Sequence, residues 1–133
     1  MGSKDNKQVG KNTNFWQSFS HAIDGCKTLL KTERNLRFHL VVALLIIILA
    51  GGLHVGWNQF LWLLLAIFVV LTAEVLNSIV ERIVDLLVGN HFNQLAKEAK
   101  DMAAGGVLLA TGFAMVVGII VFLPLLIKLI PWR

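Results

Sequence analysis

Two long stretches of the chain carry no aspartate, glutamate, lysine or arginine. One lies between Arg37 and Glu74, and the other lies between Asp101 and Lys128. An α-helix needs about 20 mostly apolar residues to cross the hydrocarbon core of a bilayer. The first stretch has room for one span and most of another, and the second stretch has room for one more. The sequence therefore predicts an all-α integral membrane protein with three transmembrane helices.

The composition excludes a soluble domain of ordinary type. Hydrophobic side chains make up 56% of the 133 residues and charged side chains only 15%, a more apolar balance than soluble domains have. The single cysteine permits no internal disulfide. We expect one membrane domain over residues 14–133 after a disordered polar tail at 1–13. The expected transmembrane helices are, in order, about 36–54, about 57–87 and about 95–129.

Residues 14–31 carry apolar side chains at three- and four-residue spacing, and either Thr13 or Asn14 could cap a helix there. The apolar side of this helix would hold Phe15, Trp16, Phe19, Ala22, Ile23, Cys26, Leu29 and Leu30. The opposite side would hold Gln17, Ser20, Asp24, Lys27 and Lys31. This pattern favours an amphipathic helix lying in the membrane interface. The alternative is a soluble helix that packs on a loop.

The net charge of +4 is distributed unevenly along the chain. The turn between the first two spans, residues 51–58, has no lysine or arginine. The basic residues precede the first span or flank the second connection: Lys4, Lys7, Lys11, Lys27, Lys31, Arg34, Arg37, Arg82, Lys97 and Lys100. The positive-inside rule then predicts a cytoplasmic N-terminus and a cytoplasmic 86–100 connection. Because the basic residues follow membrane topology, we expect no nucleic-acid partner.

The second predicted span carries a one-sided set of polar residues, which we call the polar row: Glu74, Asn77, Ser78, Glu81 and Asp85. At 100° per residue, these side chains share about a third of the helix surface. Glu74 lies about 25 Å along the helix from Trp57, and Glu81 lies about 10 Å further. Ionisable groups at membrane depth are costly and usually functional. A row that runs from the lipid headgroups to the cytosol suits a reaction between an amphiphile and a water-soluble partner.

Other interpretations of these residues remain open. Glu74 could pair with a cation on a neighbouring helix, or it could line the pore of a small channel or transporter subunit. Lys100 could hold phosphate oxygens, or it could merely follow the topology of the helix entrance. Glu33 could be a third carboxylate of the cluster. The chain has no Walker A sequence, kinase glycine-rich loop or G-x-S-x-G elbow, so any nucleotide would depend on carboxylate-held Mg²⁺ and a lysine.

Three segments resemble the prokaryotic diacylglycerol kinase family. They are E-V-L-N-S-I-V-E-R-I-V-D at 74–85, A-K-x-A-K-D-M-A-A-G at 96–105, and K-T-E-R-N-x-x-x-H at 31–39. The third segment is similar to the Gram-positive branch of undecaprenol kinases. The resemblance implies a homotrimer in the bacterial plasma membrane, with an interfacial N-terminal helix and a cytoplasmic active site. It also implies transfer of the γ-phosphoryl of Mg-ATP to a lipid hydroxyl, on undecaprenol or, alternatively, on diacylglycerol.

The resemblance also implies separate roles for the site residues. Glu74 would take the hydroxyl proton, and Asn77 would orient the base or the phosphate. Glu33 and Glu81 would hold Mg²⁺. Lys100 would bind the phosphates of ATP. Asp101, beside it, and Asp85 would also belong to the nucleotide site.

The chain departs from the family pattern in two places, and residue roles are not carried over from the family there. Asn12, Thr13 and Asn14 stand where some relatives carry an arginine near the start of the interfacial helix. The 86–95 connection differs in length by one residue, so adenine contacts are not assigned there.

Overall fold

The computed structural model describes residues 14–89 and 91–129, and it is all-helical apart from short connections. The expected disordered tail at 1–13 lies outside the described residues. The described chain contains four helices: α1 (Phe15–Thr32), α2 (Arg34–Gly52), α3 (Trp57–Val88) and α4 (Gln94–Leu129). Each begins and ends within two residues of the bounds expected from the sequence.

Three of the helices are long and apolar enough to cross a membrane: Arg34–Gly52, Trp57–Val88 and Gln94–Lys128. The prediction of an all-α protein is therefore confirmed for the described residues, which contain three helices that are candidates to span a membrane. The 32 residues of α3 exceed what the hydrocarbon core requires, as the position of the polar row implied.

The described residues form two compact units, which divide between Thr32 and Glu33. In the first unit, the side-chain Oδ1 of Asn14 accepts a hydrogen bond of 2.8 Å from the backbone N–H of Gln17. This is the N-cap interaction expected of one of the two candidates, and it satisfies a backbone donor that the first turn leaves without a partner. Along α1, the rings of Phe15, Trp16 and Phe19 contact one another and are exposed.

In the second unit, backbone hydrogen bonds close the tight turn between α2 and α3. The N–H of Leu53 donates to the carbonyl of Leu49, and that of Val55 donates to the carbonyl of Ala50, both at 3.0 Å. His54 has a φ of 52°, a left-handed conformation in which histidine and asparagine are enriched. At the opposite end, Gly89 ends α3 with a φ of 57°, which glycine adopts without steric cost.

Helix α3 contacts both α2 and α4 and carries most of the buried residues of the second unit. The core consists of Ala50, Leu63, Ala66, Val117 and Val121. Small residues such as the two alanines allow helices to approach closely, which matters in lipid because no hydrophobic force drives helices together there. From Leu63 to Asn77 the buried residues of α3 recur at three- and four-residue spacing. The full set is Leu63, Ala66, Val70, Glu74, Asn77, Ser78 and Val84. The polar row thus continues the packing face of α3.

We expect Ala50→Leu to destabilise the helix bundle by about 1 to 3 kcal/mol, because the added atoms overpack a buried position of the core. Ala50 is 2% exposed, whereas Phe68 of α3 is exposed in the chain. Unfolding in mixed detergent micelles would measure the change, with Phe68→Leu as the control that places the same side chain at an exposed position. Equal stability of Ala50→Leu and wild type would contradict this account of the core.

Candidate functional site

The polar row becomes more exposed from the middle of α3 toward its C-terminal end. Glu74 is 3% exposed and Asn77 is 6% exposed. Glu81 is half-buried, and the side chain of Asp85 is 61% exposed. One helix face therefore leads from a buried carboxylate to a solvent-accessible one.

The burial of the polar side chain of Ser78 is explained by a local hydrogen bond. Its hydroxyl donates to the backbone carbonyl of Glu74 at 2.9 Å, a common way for serine to satisfy itself inside a helix. Ser78 is 2% exposed. Its size and this local bond account for its burial, and it adds no reactive group to the row.

Asn77 presents a buried oxygen that accepts no hydrogen bond from the described residues. Its side-chain Nδ2 donates to Oε1 of Glu81 at 2.9 Å, whereas its Oδ1 is buried without a partner. Leaving such an acceptor unsatisfied costs about 1 to 3 kcal/mol. An orphaned acceptor of this kind in a native fold calls for an explanation such as an ion, a water molecule or a ligand.

The carboxylate of Glu74 has partners on α2. The side chain of Asn35 hydrogen-bonds to Glu74, and His39 interacts with it electrostatically. Asn35 and His39 are four residues apart, so they lie on one face of α2. Both residues belong to the segment 31–39, but the sequence of that segment did not predict that they would lie beside Glu74.

Glu33 joins the same region from the residue that precedes α2. Its Oε1 lies 2.7 Å from Nη2 of Arg82, which follows Glu81 on α3. Glu33 and Glu81 both interact electrostatically with Glu74. The structure thus gathers the three glutamates predicted for the site around the start of α2 and the middle of α3, with a cation in contact with one of them.

A second group of charged residues lies between the end of α3 and the start of α4. Nζ of Lys100 lies 2.8 Å from Oδ1 of Asp85, so Lys100 does turn toward the polar row. Asp101 pairs instead with Lys97 at 2.5 Å. These groups border a polar cavity of about 530 Å³, lined by Val84, Asp85, Val88, Gly89, His91, Phe92, Asn93, Ala96, Lys97, Lys100 and Asp101.

A second cavity, which we call the apolar cleft, lies among α2, α3 and α4 and has a volume of about 330 Å³. Its lining includes Ala43 and Ile46 of α2, Val70 and Leu71 of α3, and Ala114 of α4. His39 and Thr111 are the polar side chains of a lining that is otherwise apolar. Val70 precedes Glu74 by one helical turn, so the cleft reaches the neighbourhood of that carboxylate.

The donor set around Glu33 and Glu81 fits Mg²⁺ that arrives with a nucleotide. Among the described residues, no group of three or more histidine, cysteine, aspartate or glutamate side chains could hold a metal ion alone. Mg²⁺ usually takes one or two carboxylates and completes its shell with water and substrate phosphates. The guanidinium of Arg82 already contacts the carboxylate of Glu33. On the polar row, Oδ1 of Asn77 is a further oxygen, which accepts no hydrogen bond from the described residues. The residues present are hard oxygen donors, as Mg²⁺ requires.

We expect Asn77→Leu to lower the free energy of unfolding by only about 1 kcal/mol, because removing a buried acceptor that has no partner among the described residues partly offsets the lost hydrogen bond to Glu81. Ser78→Leu is the matched control, since it places the same side chain at an adjacent buried position where it overpacks the helix contact. Unfolding in mixed micelles would compare the two variants. A loss of stability in Asn77→Leu as large as in Ser78→Leu would mean that Asn77 is retained for packing.

Comparisons with known proteins agree on one family. The family model for prokaryotic diacylglycerol kinase matches residues 20–122. The chain is 39% identical over 123 residues to a diacylglycerol kinase of Synechocystis sp., covering 87% of this chain and 70% of that protein. It is 34% identical over 124 residues to an undecaprenol kinase of Bacillus subtilis, covering 93% and 98%. It is 28% identical over 104 residues to a diacylglycerol kinase of Escherichia coli K12, covering 78% and 84%.

The family and the names of these relatives favour an enzyme over the channel or transporter subunit that the polar row alone left open. A kinase of this family implies ATP as the phosphoryl donor and a lipid as the acceptor. The three apolar helices agree with a membrane location. Because the family model matches residues 20–122 and the relatives are lipid kinases by name, the chain belongs to the prokaryotic diacylglycerol kinase family and is a membrane lipid kinase.

Proposed function

We propose that this kinase phosphorylates undecaprenol, giving undecaprenyl phosphate for cell-envelope synthesis. The observation that carries the choice of lipid is the similarity to the Bacillus subtilis undecaprenol kinase, which extends over 93% of this chain and 98% of the relative. The segment 31–39 supports it, because two of its residues, Asn35 and His39, interact with the buried Glu74. Residues beside this carboxylate are well placed to discriminate between lipid alcohols.

Glu74 is the general base in this proposal. It is the most buried carboxylate of the polar row, and it stands near the inner edge of the hydrocarbon, where a lipid hydroxyl lies. It takes the hydroxyl proton while the hydroxyl oxygen attacks the γ-phosphorus of ATP. Asn77, whose Oδ1 is buried and has no partner, orients the base or the phosphate from the next turn of α3.

The nucleotide binds on the more exposed side of the row. Lys100 grips the phosphates of ATP, and Asp101 and Asp85 serve the same side of the site. The support for this assignment is the polar cavity, which has all three residues in its lining. A lysine ammonium is a compact charge that suits phosphate oxygens, and ATP would compete with Asp85 for it.

Glu33 and Glu81 hold Mg²⁺ in this proposal. An ion held by these two carboxylates would neutralise charge on the transferring phosphates. Both carboxylates interact electrostatically with Glu74, so the acidic groups of the site lie together. Arg82 balances part of that charge by its contact with Glu33.

We also propose a homotrimer in the bacterial plasma membrane, with the N-terminus and the active site on the cytoplasmic side and residues 14–133 as one domain. Helix α1 lies in the interface as an amphipathic helix. Its exposed Phe15, Trp16 and Phe19 support this placement, because aromatic rings favour the level of the lipid headgroups. The trimer rests on the family resemblance.

Diacylglycerol is the second candidate substrate. It is favoured by the Synechocystis relative, which is a diacylglycerol kinase and is 39% identical to this chain. The two alcohols differ in the hydrocarbon that accompanies the reacting hydroxyl, so direct comparison of turnover separates them.

We expect purified protein with Mg-ATP to show about a tenfold or greater kcat/KM for undecaprenol over diacylglycerol, because the residues around Glu74 would favour the correct alcohol. Lipid-dependent ATP consumption and ³²P transfer to lipid would measure both rates. Comparable rates on diacylglycerol would overturn the choice of undecaprenol. They would leave the assignment of a lipid kinase intact.

Glu74→Gln is the control for the chemistry in the same assay. Its loss of the base should lower kcat by about 10² to 10⁴-fold on either lipid, with helix content and stability unchanged. Retention of wild-type kcat by this variant would refute Glu74 as the general base.

Glu33→Gln and Glu81→Gln should each weaken Mn²⁺ binding, used as a spectroscopic substitute for Mg²⁺, in the presence of a non-hydrolysable ATP analogue. A charge-assisted bond is worth about 1.5 to 3 kcal/mol, or roughly 10- to 100-fold in affinity. Electron paramagnetic resonance of free and bound Mn²⁺ gives the affinity. Glu98→Gln is the control, because Glu98 is exposed and bonds to Gln94. Wild-type Mn²⁺ affinity in both site variants would refute the metal assignment.

A further inference from the structure

The kinase reaction leaves a proton that must be disposed of. The hydroxyl O–H bond breaks, the hydroxyl oxygen forms a bond to the γ-phosphorus, and the bond from that phosphorus to ADP breaks with its electron pair leaving on ADP. The hydroxyl proton then resides on Glu74, which must become a carboxylate again before the next cycle. Glu74 is 3% exposed, so water has little direct access to it.

His39 stands where such a proton could pass. It interacts electrostatically with Glu74, and it is half-buried rather than buried. Asn35 lies one helical turn before His39 on α2 and hydrogen-bonds to Glu74, so the face of α2 that carries both residues lies beside this carboxylate. His39 also shares the lining of the apolar cleft with Val70 and Leu71 of α3, the turn next to Glu74.

The other groups around Glu74 are poorly suited to this task. Glu33 and Glu81 are the carboxylates within electrostatic range, and both are assigned above to the metal. Asn35 can hydrogen-bond but cannot carry a proton away. Helix α4 contributes no titratable side chain to the lining of the apolar cleft, where its polar member is Thr111. Histidine is the side chain that gains and loses a proton near neutral pH.

We propose that His39 is a proton-transfer residue of this kinase: it accepts the hydroxyl proton from Glu74 and passes it to water at the membrane interface. The role rests on the proposed assignment of Glu74 as general base, and it is independent of which lipid alcohol is the substrate. Each step balances, because the proton leaves the lipid hydroxyl, occupies Glu74 and then a ring nitrogen of His39, and is finally released to solvent.

The experiment uses the full-length enzyme with whichever lipid it turns over best. His39→Asn keeps a hydrogen-bonding side chain that cannot carry the proton, so kcat should fall by about 10²-fold while KM for Mg-ATP stays within twofold. His39→Ala should fall similarly and recover at least tenfold when imidazole is added, because free imidazole replaces the missing ring. His54→Asn is the matched control: it makes the same substitution in the α2–α3 turn at a φ that asparagine tolerates, and its kcat should equal that of wild type.

Three outcomes would overturn the proposal. His39→Asn could retain wild-type kcat, His39→Ala could lose activity without any imidazole rescue, or the variants could raise KM for Mg-ATP in proportion to the loss. The last two results would indicate a structural role. Glu74→Gln separates this proposal from the one on which it rests, because its activity should be lost and should not respond to imidazole. Activity retained in Glu74→Gln would refute the base assignment whatever His39 does.

Discussion

The burial of a carboxylate in α3 is the constraint on which the site depends. Glu74 is 3% exposed in a helix that is long and apolar enough to span a membrane, and a buried carboxyl group needs polar partners to be tolerated. Asn35 supplies a hydrogen bond from α2. The start of α2 must therefore lie against α3 at this level, and the Glu33–Arg82 contact at 2.7 Å holds the residue before α2 there. Without the bond from Asn35, Glu74 would lose its hydrogen-bond partner on α2.

The packing face of α3 and its chemical face are the same surface. Leu63, Ala66 and Val70 are buried on the N-terminal half of that face, and Glu74 and Asn77 continue it toward the C-terminal end of α3 at the same helical spacing. The polar row is thus placed by the same helix contacts that make the core. Side chains on packed helices are held more precisely than side chains on loops, and phosphoryl transfer depends mainly on positioning and electrostatics.

Much of this arrangement could be predicted from the sequence, because charge-free stretches set the number of spans and helical spacing set the polar row. The contacts of Asn35 and His39 with Glu74 could not, and the reason lies in α2. That helix is apolar on every side from Leu40 to Ala50, so no hydrophobic stripe reveals which face meets α3. The sequence also could not predict that Oδ1 of Asn77 is buried and accepts no hydrogen bond from the described residues, because this depends on how the side chains pack.

The charges of the site divide along α3 in a way that suits a reaction between lipid and nucleotide. Glu74 and Asp85 are about 16 Å apart along the helix axis. The carboxylates gather near Glu74, whereas Lys100 pairs with Asp85 at the other end of the row. Glu81 lies between them and interacts electrostatically with both Glu74 and Lys100. Under the proposed assignment, a phosphate held by Lys100 would extend toward Glu74 through the neighbourhood of Glu81, which is the position proposed for the metal ion.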